Sequence, residues 1–172
     1  MIAVNAQRKG RAETAPECVV FEGLVVEDEL KEVGRWMATA LRLGDLVLLE
    51  GPLGAGKTTL VRVLAAALGV TDVVRSPSFT IANVYAGPVV VNHLDLYRLQ
   101  DVADEDVLAL EEYRSPEVVT LVEWPEAGRG RLGSPDWVVY LDHDTPTTRR
   151  VRVVACGARV AGRLREAGPS PR

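Results

Sequence analysis

An α/β domain with a mixed central sheet flanked by helices is the fold class that this 172-residue sequence predicts. Three observations predict it. Short apolar, β-prone runs are interspersed with segments of helical period, the pattern of a layered α/β fold. Val118-Val119-Thr120-Leu121-Val122-Glu123 is β-branched, nearly uncharged and ends in an acid, as strands covered on both faces do. Gly51-Pro52-Leu53-Gly54-Ala55-Gly56-Lys57-Thr58 is a complete G-x-x-x-x-G-K-[ST] loop set between a strand-like run and a helical pattern. That context makes it a phosphate-binding loop and the fold a single-domain P-loop NTPase fold.

Each element has its own signal. Val20–Leu24 reads as a short edge strand. A helix is expected over Glu27–Leu41, because Leu30, Val33, Met37 and Leu41 recur at spacings of three and four. Glu27, Asp28 and Glu29 crowd its first turn, where the helix dipole favours them. Gly44-Asp45 turns the chain into the strand Leu46–Glu50, and the helix after the loop carries Leu60, Val61, Leu64, Ala65 and Leu68 before a C-capping Gly69. Ile81–Tyr85 and Val89–Asp95 read as strands joined by a Gly87-Pro88 turn. Asp101–Glu112 is acidic, with room for one or two short helices on a solvated face. Trp137–Leu141 and Val151–Ala155 are late strands joined by a turn at 142–146 with no helix between them, so they should pair antiparallel and make the sheet mixed. A short arginine-rich helix is expected over 157–167. The expected organisation is a flexible N-terminal segment over 1–18, the domain over 19–166 and a fraying tail over 167–172.

Composition narrows the function classes. The net charge of −4 argues against a wholesale nucleic-acid coat, and the hydrophobic share of 47% is that of an ordinary globular core. Cys18 and Cys156 form no CxxC pair, which argues against a structural zinc site. No stretch has the length and apolarity of a membrane span, and no apolar signal core follows Arg8, Lys9 and Arg11. A cytoplasmic location is therefore expected. Lysine occurs only at positions 9, 31 and 57, so the one inside the glycine loop stands out.

The candidate chemistry begins at that loop. Its amides, from Pro52, Leu53, Gly54, Ala55 and Gly56 through Lys57, Thr58 and Thr59, are aimed at phosphates, and Lys57 reaches the β and γ oxygens. Thr58 offers a hydroxyl to Mg²⁺, a hard cation that wants oxygen ligands. Asp95 and Glu123 close apolar strands, and ligands of α/β sheets bind at the carboxyl ends of strands. Both are candidate metal-side or water-orienting acids. Glu123 follows the stronger apolar run and is preferred, though which acid lies closer stays open. Ser76, Ser78 and Thr80 offer hydroxyls for a switch that senses the γ-phosphate. Trp124 either packs over the site, meets a partner or belongs to the core. Tyr97-Arg98 supplies a positive group or a surface ion pair. His93 reads as a hydrogen-bonded core histidine rather than a ligand. The arginines at 149, 150, 152, 159, 163 and 165 are either a docking face for RNA or an acidic protein, or a solvated face.

Taken together, Leu49-Glu50-Gly51 through Thr59, Ser76-Pro77-Ser78-Phe79-Thr80, His93-Leu94-Asp95-Leu96-Tyr97-Arg98 and Glu123-Trp124-Pro125 resemble the bacterial TsaE (YjeE) family over about residues 24–155. The resemblance implies an ATP- and Mg²⁺-dependent accessory ATPase, weak alone and stimulated by partners. It would serve the threonylcarbamoyl transferase complex that modifies the adenosine next to the anticodon of ANN-decoding tRNAs. It implies TsaD and TsaB as partners, with tRNA reached through the complex. By the same resemblance Lys57 and Thr58 keep their phosphate and metal roles, Asp95 is the acid of an H-x-D-x-Y-R motif, and Glu123-Trp124 is an E-W motif. Ser78 departs from the family's usual threonine. Two other readings stay open: a small P-loop kinase for a metabolite or nucleoside, and a non-catalytic module that docks when it holds ATP.

Overall fold

The computed structural model describes residues 17–77, 80–101, 109–166 and 171. Seven strands form one sheet in the order β1-β7-β6-β2-β5-β4-β3. They are β1 (Glu17–Val26), β2 (Leu46–Glu50), β3 (Ala82–Tyr85), β4 (Val90–Asp95), β5 (Val118–Glu123), β6 (Trp137–His143) and β7 (Thr148–Cys156). The helices are α1 (Glu27–Ala40), α2 (Lys57–Ala67), the single turn α3 (Arg129–Leu132) and α4 (Ala158–Glu166). The middle four strands, β6, β2, β5 and β4, run parallel, while β3, β7 and β1 attach antiparallel at the two ends. The mixed sheet is therefore as expected, and β6 and β7 pair antiparallel.

Strand β2 is buried along both faces, so its side chains feed two cores in alternation. Val47 and Leu49 join Leu30, Met37, Leu60, Leu64, Leu121 and Val139 under α1, α2 and α4. Leu46 and Leu48 join Leu94, Leu96, Val122, Val138 and Val154 on the other face, closed by Leu110 and Leu132. Helix α1 begins where the Glu29 carboxylate accepts the Val26 N–H at 2.8 Å. It lies close on α2 because Gly34 has no side chain: a Cβ there would sit 2.8 Å from both Leu60 Cδ1 and Val63 Cγ1.

Strands β1 and β3 start elsewhere than the sequence reading put them. Strand β1 begins at Glu17, inside the segment expected to be flexible, because its full length zips along β7 from Glu17–Cys156 to Val26–Thr148. Residues 1–16 and most of 167–172 lie outside the described residues, as does the acidic stretch 102–108. On either side of that stretch, 97–101 and 110–113 are 3₁₀ turns. Strand β3 starts one residue later than expected because Ile81 is left-handed, φ 69°.

Four of the C-terminal arginines take separate partners. Arg163 is tied to the buried Asp45, Arg149 to the carbonyls of the β6–β7 turn, Arg150 to Asp144, and Arg152 lies over the Tyr140 ring. Asp45 was expected only as a turn residue. It is 3% exposed and accepts from Arg163 at 2.7 Å and 2.9 Å, from Trp137 Nε1 at 3.1 Å and from Arg42 N at 2.9 Å. It thereby fastens α4 and β6 to the root of β2.

Candidate nucleotide site

The parallel strands bring their carboxyl ends to one edge, and the site is built there. Leu49 of β2 pairs with Glu123 of β5, and Glu123 pairs with Asp95 of β4. The two acids that close apolar strands are thus neighbours across the sheet, beside the loop that leaves β2.

That loop can turn only because of its glycines. Gly51, Gly54 and Gly56 have φ of 140°, 75° and 107°. A Cβ on Gly51 would overlap the carbonyl oxygen of Leu141. Gly56 caps α2, so the helix opens at Lys57 with its free N–H groups facing the loop.

Lys57 is 4% exposed. Its Nζ donates to the carbonyls of Gly51 (2.6 Å) and Pro52 (2.8 Å) and lies 3.9 Å from the centre of the Trp124 ring. Burial lowers the lysine pKa, while the carboxylates of Glu123, Asp95 and Glu126 pull it back up. Trp124 reaches this place through a left-handed backbone, φ 55° and ψ 55°, a conformation bulky residues rarely adopt. Its ring also meets Tyr97, centroids 4.8 Å apart.

Thr58 donates its hydroxyl to Glu123, 2.8 Å from Oε1 and 3.1 Å from Oε2. His93, wholly buried on β4, lies with Nε2 2.9 Å from the same Oε1. Asp95 has different company: Ser76 donates to Oδ2 at 2.8 Å, and the Tyr97 N–H to Oδ1 at 3.2 Å. Each acid therefore holds one hydroxyl, Glu123 that of the loop and Asp95 that of the segment following α2.

A cleft of about 390 Å³ opens over these groups. Leu53, Gly54, Gly56, Lys57, Thr58, Thr59, Ser76, Asp95, Glu123 and Trp124 line it, together with Ile81, Tyr97 and Arg98. Of the other candidates, Ala55 is buried within the loop and Pro52 lies on its far side, in a separate groove. Thr80 turns to Asn83 (3.2 Å) rather than into the cleft. Ser78 lies outside the described residues. A second cleft, about 430 Å³, adjoins Gly54–Gly56 on the other side. It is walled by Val26–Asp28 at the β1–α1 junction and by Pro146, Thr147 and Arg149. Sequence reasoning missed this wall, because no local motif joins residues so far apart along the chain.

The donor set fits the groups a P-loop takes. A threonine hydroxyl and two carboxylates are hard oxygen donors, and no group of three or more His, Cys, Asp or Glu gathers as a metal cage among the described residues. Mg²⁺ suits such a site, because it is held by one or two protein oxygens with phosphate and water completing its shell. No helix among the described residues is long and apolar enough to cross a membrane.

Residues 24–151 match the family described as Threonylcarbamoyl adenosine biosynthesis protein TsaE. The chain belongs to the TsaE family. The tRNA threonylcarbamoyladenosine biosynthesis protein TsaE of Streptomyces coelicolor is 42% identical over 141 residues, which take in 77% of this chain and 94% of that protein. The protein of the same name from Bacillus subtilis is 35% identical over 133 residues, 77% of this chain and 83% of that one. The crystal structure of Bacillus subtilis YdiB superposes with a TM-score of 0.72 at 28% identity, covering 91% of this chain and 97% of the other. The TsaE match contains the loop, both acids, His93 and Trp124, and it stops before α4 and Arg163.

Proposed function

We propose that this chain binds Mg²⁺-ATP in the cleft at the carboxyl edge of the sheet and hydrolyses it as an accessory step in threonylcarbamoyladenosine biosynthesis on tRNA. It acts there as a nucleotide-dependent switch working with TsaD and TsaB. The observation that carries the nucleotide reading is the Thr58–Glu123 contact of 2.8 Å, which sets the loop's hydroxyl against a strand-end acid beside a buried lysine. The relatives' names carry the pathway reading.

The roles follow from what each side chain touches. Loop amides and the α2 N-terminus hold the phosphates. Lys57 exchanges its bonds to Gly51 and Pro52 for β and γ oxygens, a short move for an amine already at the loop. Thr58 and Glu123 hold Mg²⁺, which neutralises charge on the phosphates when bound. Glu123 is the acid on the metal side and orients the attacking water. Asp95, tied to Ser76, couples the segment after α2 to the γ end of the cleft. The second cleft, on the far side of Gly54–Gly56 from the acids, has room for the ribose and base. Catalysis of this kind is mostly positioning and electrostatics.

An ATP-hydrolysis assay with and without purified TsaD–TsaB and tRNA tests the reading. Slow phosphate release to water, accelerated by the partners, is expected. Stoichiometric transfer of the phosphoryl group to an added metabolite or nucleoside would favour the kinase instead.

A further inference from the structure

We infer that His93 is a positioning residue for Glu123, fixing the carboxylate that in turn holds the Thr58 hydroxyl. The inference deepens the ATPase reading above and rests on it.

His93 is wholly buried on β4. It lies on the α2 side of β4, between Val91 and Asp95, and pairs across β5 with Leu121. A fully buried imidazole among such neighbours has lost its water, so each ring nitrogen needs a reason to be there. Nε2 has one: Glu123 Oε1 at 2.9 Å. A carboxylate only accepts, so Nε2 donates. Among the described residues Nδ1 meets no hydrogen-bond partner. The Glu123 contact is therefore the ring's one side-chain hydrogen bond among the described residues, and it fixes which nitrogen faces the site. The ring plane is also set, since Tyr85 stacks on it with centroids 6.4 Å apart at 28°.

The consequence falls on Glu123. Its Oε1 accepts from both His93 and Thr58, while Oε2 has only the longer bond from Thr58. Two donors on one oxygen hinder rotation of the carboxylate and leave Oε2 as the less occupied oxygen. Without His93, the carboxylate would be held by the Thr58 hydroxyl alone, the very group that must also serve the metal. Histidine and carboxylate side chains that orient a ligand from behind typically change metal affinity or activity by about 10- to 100-fold when removed.

The test uses the full chain and two substitutions of similar polarity. His93→Gln puts an amide N–H near the place of Nε2. His93→Asn puts it near the place of Nδ1, out of reach of Glu123. Calorimetry of ATP with and without Mg²⁺ and steady-state hydrolysis are measured for both. His93→Gln should stay within about 3-fold of the unmutated chain. His93→Asn should lower kcat about 10-fold or more and shrink the Mg²⁺-dependent gain in ATP affinity, with metal-free affinity unchanged. Equal behaviour of the two variants would overturn the inference. So would a fall in metal-free affinity as large as the fall in kcat, the mark of general damage. An independent check needs no variant: the sequence has two histidines, so ¹⁵N spectra of the unmutated protein can be assigned to His93 and His143. His93 protonated at Nδ1 alone would also overturn it. If the unmutated chain neither gains ATP affinity from Mg²⁺ nor releases phosphate, the ATPase reading itself fails, an outcome distinct from equal variants on an active parent.

Discussion

Thr58 and Glu123, 65 residues apart, share a hydrogen bond of 2.8 Å between the first turn of α2 and the end of β5. The contact couples the loop that would hold phosphate to the acid that would handle metal or water. Glu123→Gln keeps an oxygen for the Thr58 hydroxyl and removes the charge. ATP binding should survive within a few-fold, while turnover falls about a hundredfold or more, the scale of losing a positioned base. Lys57→Ala should abolish binding itself. Isothermal titration and phosphate release on the two variants separate the steps. Normal turnover in Glu123→Gln would remove that residue from the chemistry.

Trp124 carries a second expectation. The Lys57 ammonium sits 3.9 Å from the centre of its ring, and a lysine that moves to phosphate must leave that ring. Tryptophan emission should therefore change when Mg²⁺-ATP is added. Trp124→Phe should erase most of that change, because Trp137 is sealed in the core on Asp45 and Trp36 packs on Phe21. A change that persists undiminished in Trp124→Phe would mean that Lys57 stays where it is.

Much of this site was legible in the sequence because its signals are local. The glycine loop, the apolar run before it and the acids that end β4 and β5 each lie within a few residues. The rule that α/β ligands sit at strand ends joins them. What was illegible depends on contacts between distant residues. Nothing near Asp45 announces that Arg163, 118 positions later, will pin it. His93 was read as a core histidine, and it is one. Its partner, 30 residues away, is what ties it to the site. The arginines after residue 148 were open to reading as a docking face or a solvated one, and what the sequence did not reveal is the separate partners that Arg149, Arg150, Arg152 and Arg163 take. The wall made by Val26–Asp28 and Pro146–Arg149 exists only because β1 and β7 pair and bring their ends to the loop.

The Asp45 cluster predicts a stability effect remote from the nucleotide. Arg163→Met removes the guanidinium whose Nη1 bridges both oxygens of a carboxylate that is 3% exposed. Breaking a buried pair from one side typically costs about 3 to 5 kcal/mol. The Trp137 and Arg42 N–H donors remain, so a loss near the lower end, about 3 kcal/mol, is expected in urea unfolding. The double variant Asp45→Asn/Arg163→Met should recover part of it, since no charge is then left buried. A single variant as stable as the parent would show that α4 is held by Val160 and Leu164 alone.

Cys156 sets the last expectation, a pH dependence. Burial, with the carboxylates of Glu17 and Asp136 adding to it, pushes the thiol up to about 11 from an ordinary 9.0. Below pH 8 the thiol is neutral in folded and unfolded chains alike, so it adds no slope. Between about 9 and 11 the unfolded chain gives up the proton and the folded chain keeps it, so the folded state binds more protons and stability must fall as pH rises. The unmutated chain should therefore lose its advantage over Cys156→Ala across that window, by about 0.5 kcal/mol at pH 10 once solvent screening of the half-buried thiol is allowed for. Taking the difference between the two proteins cancels the other groups that titrate there, including Lys57, whose lowered pKa acts with the opposite sign. Urea midpoints of both proteins at pH 7.5 and pH 10 make the comparison. A difference that stays constant would mean that the β7 thiol ionises as freely in the fold as out of it.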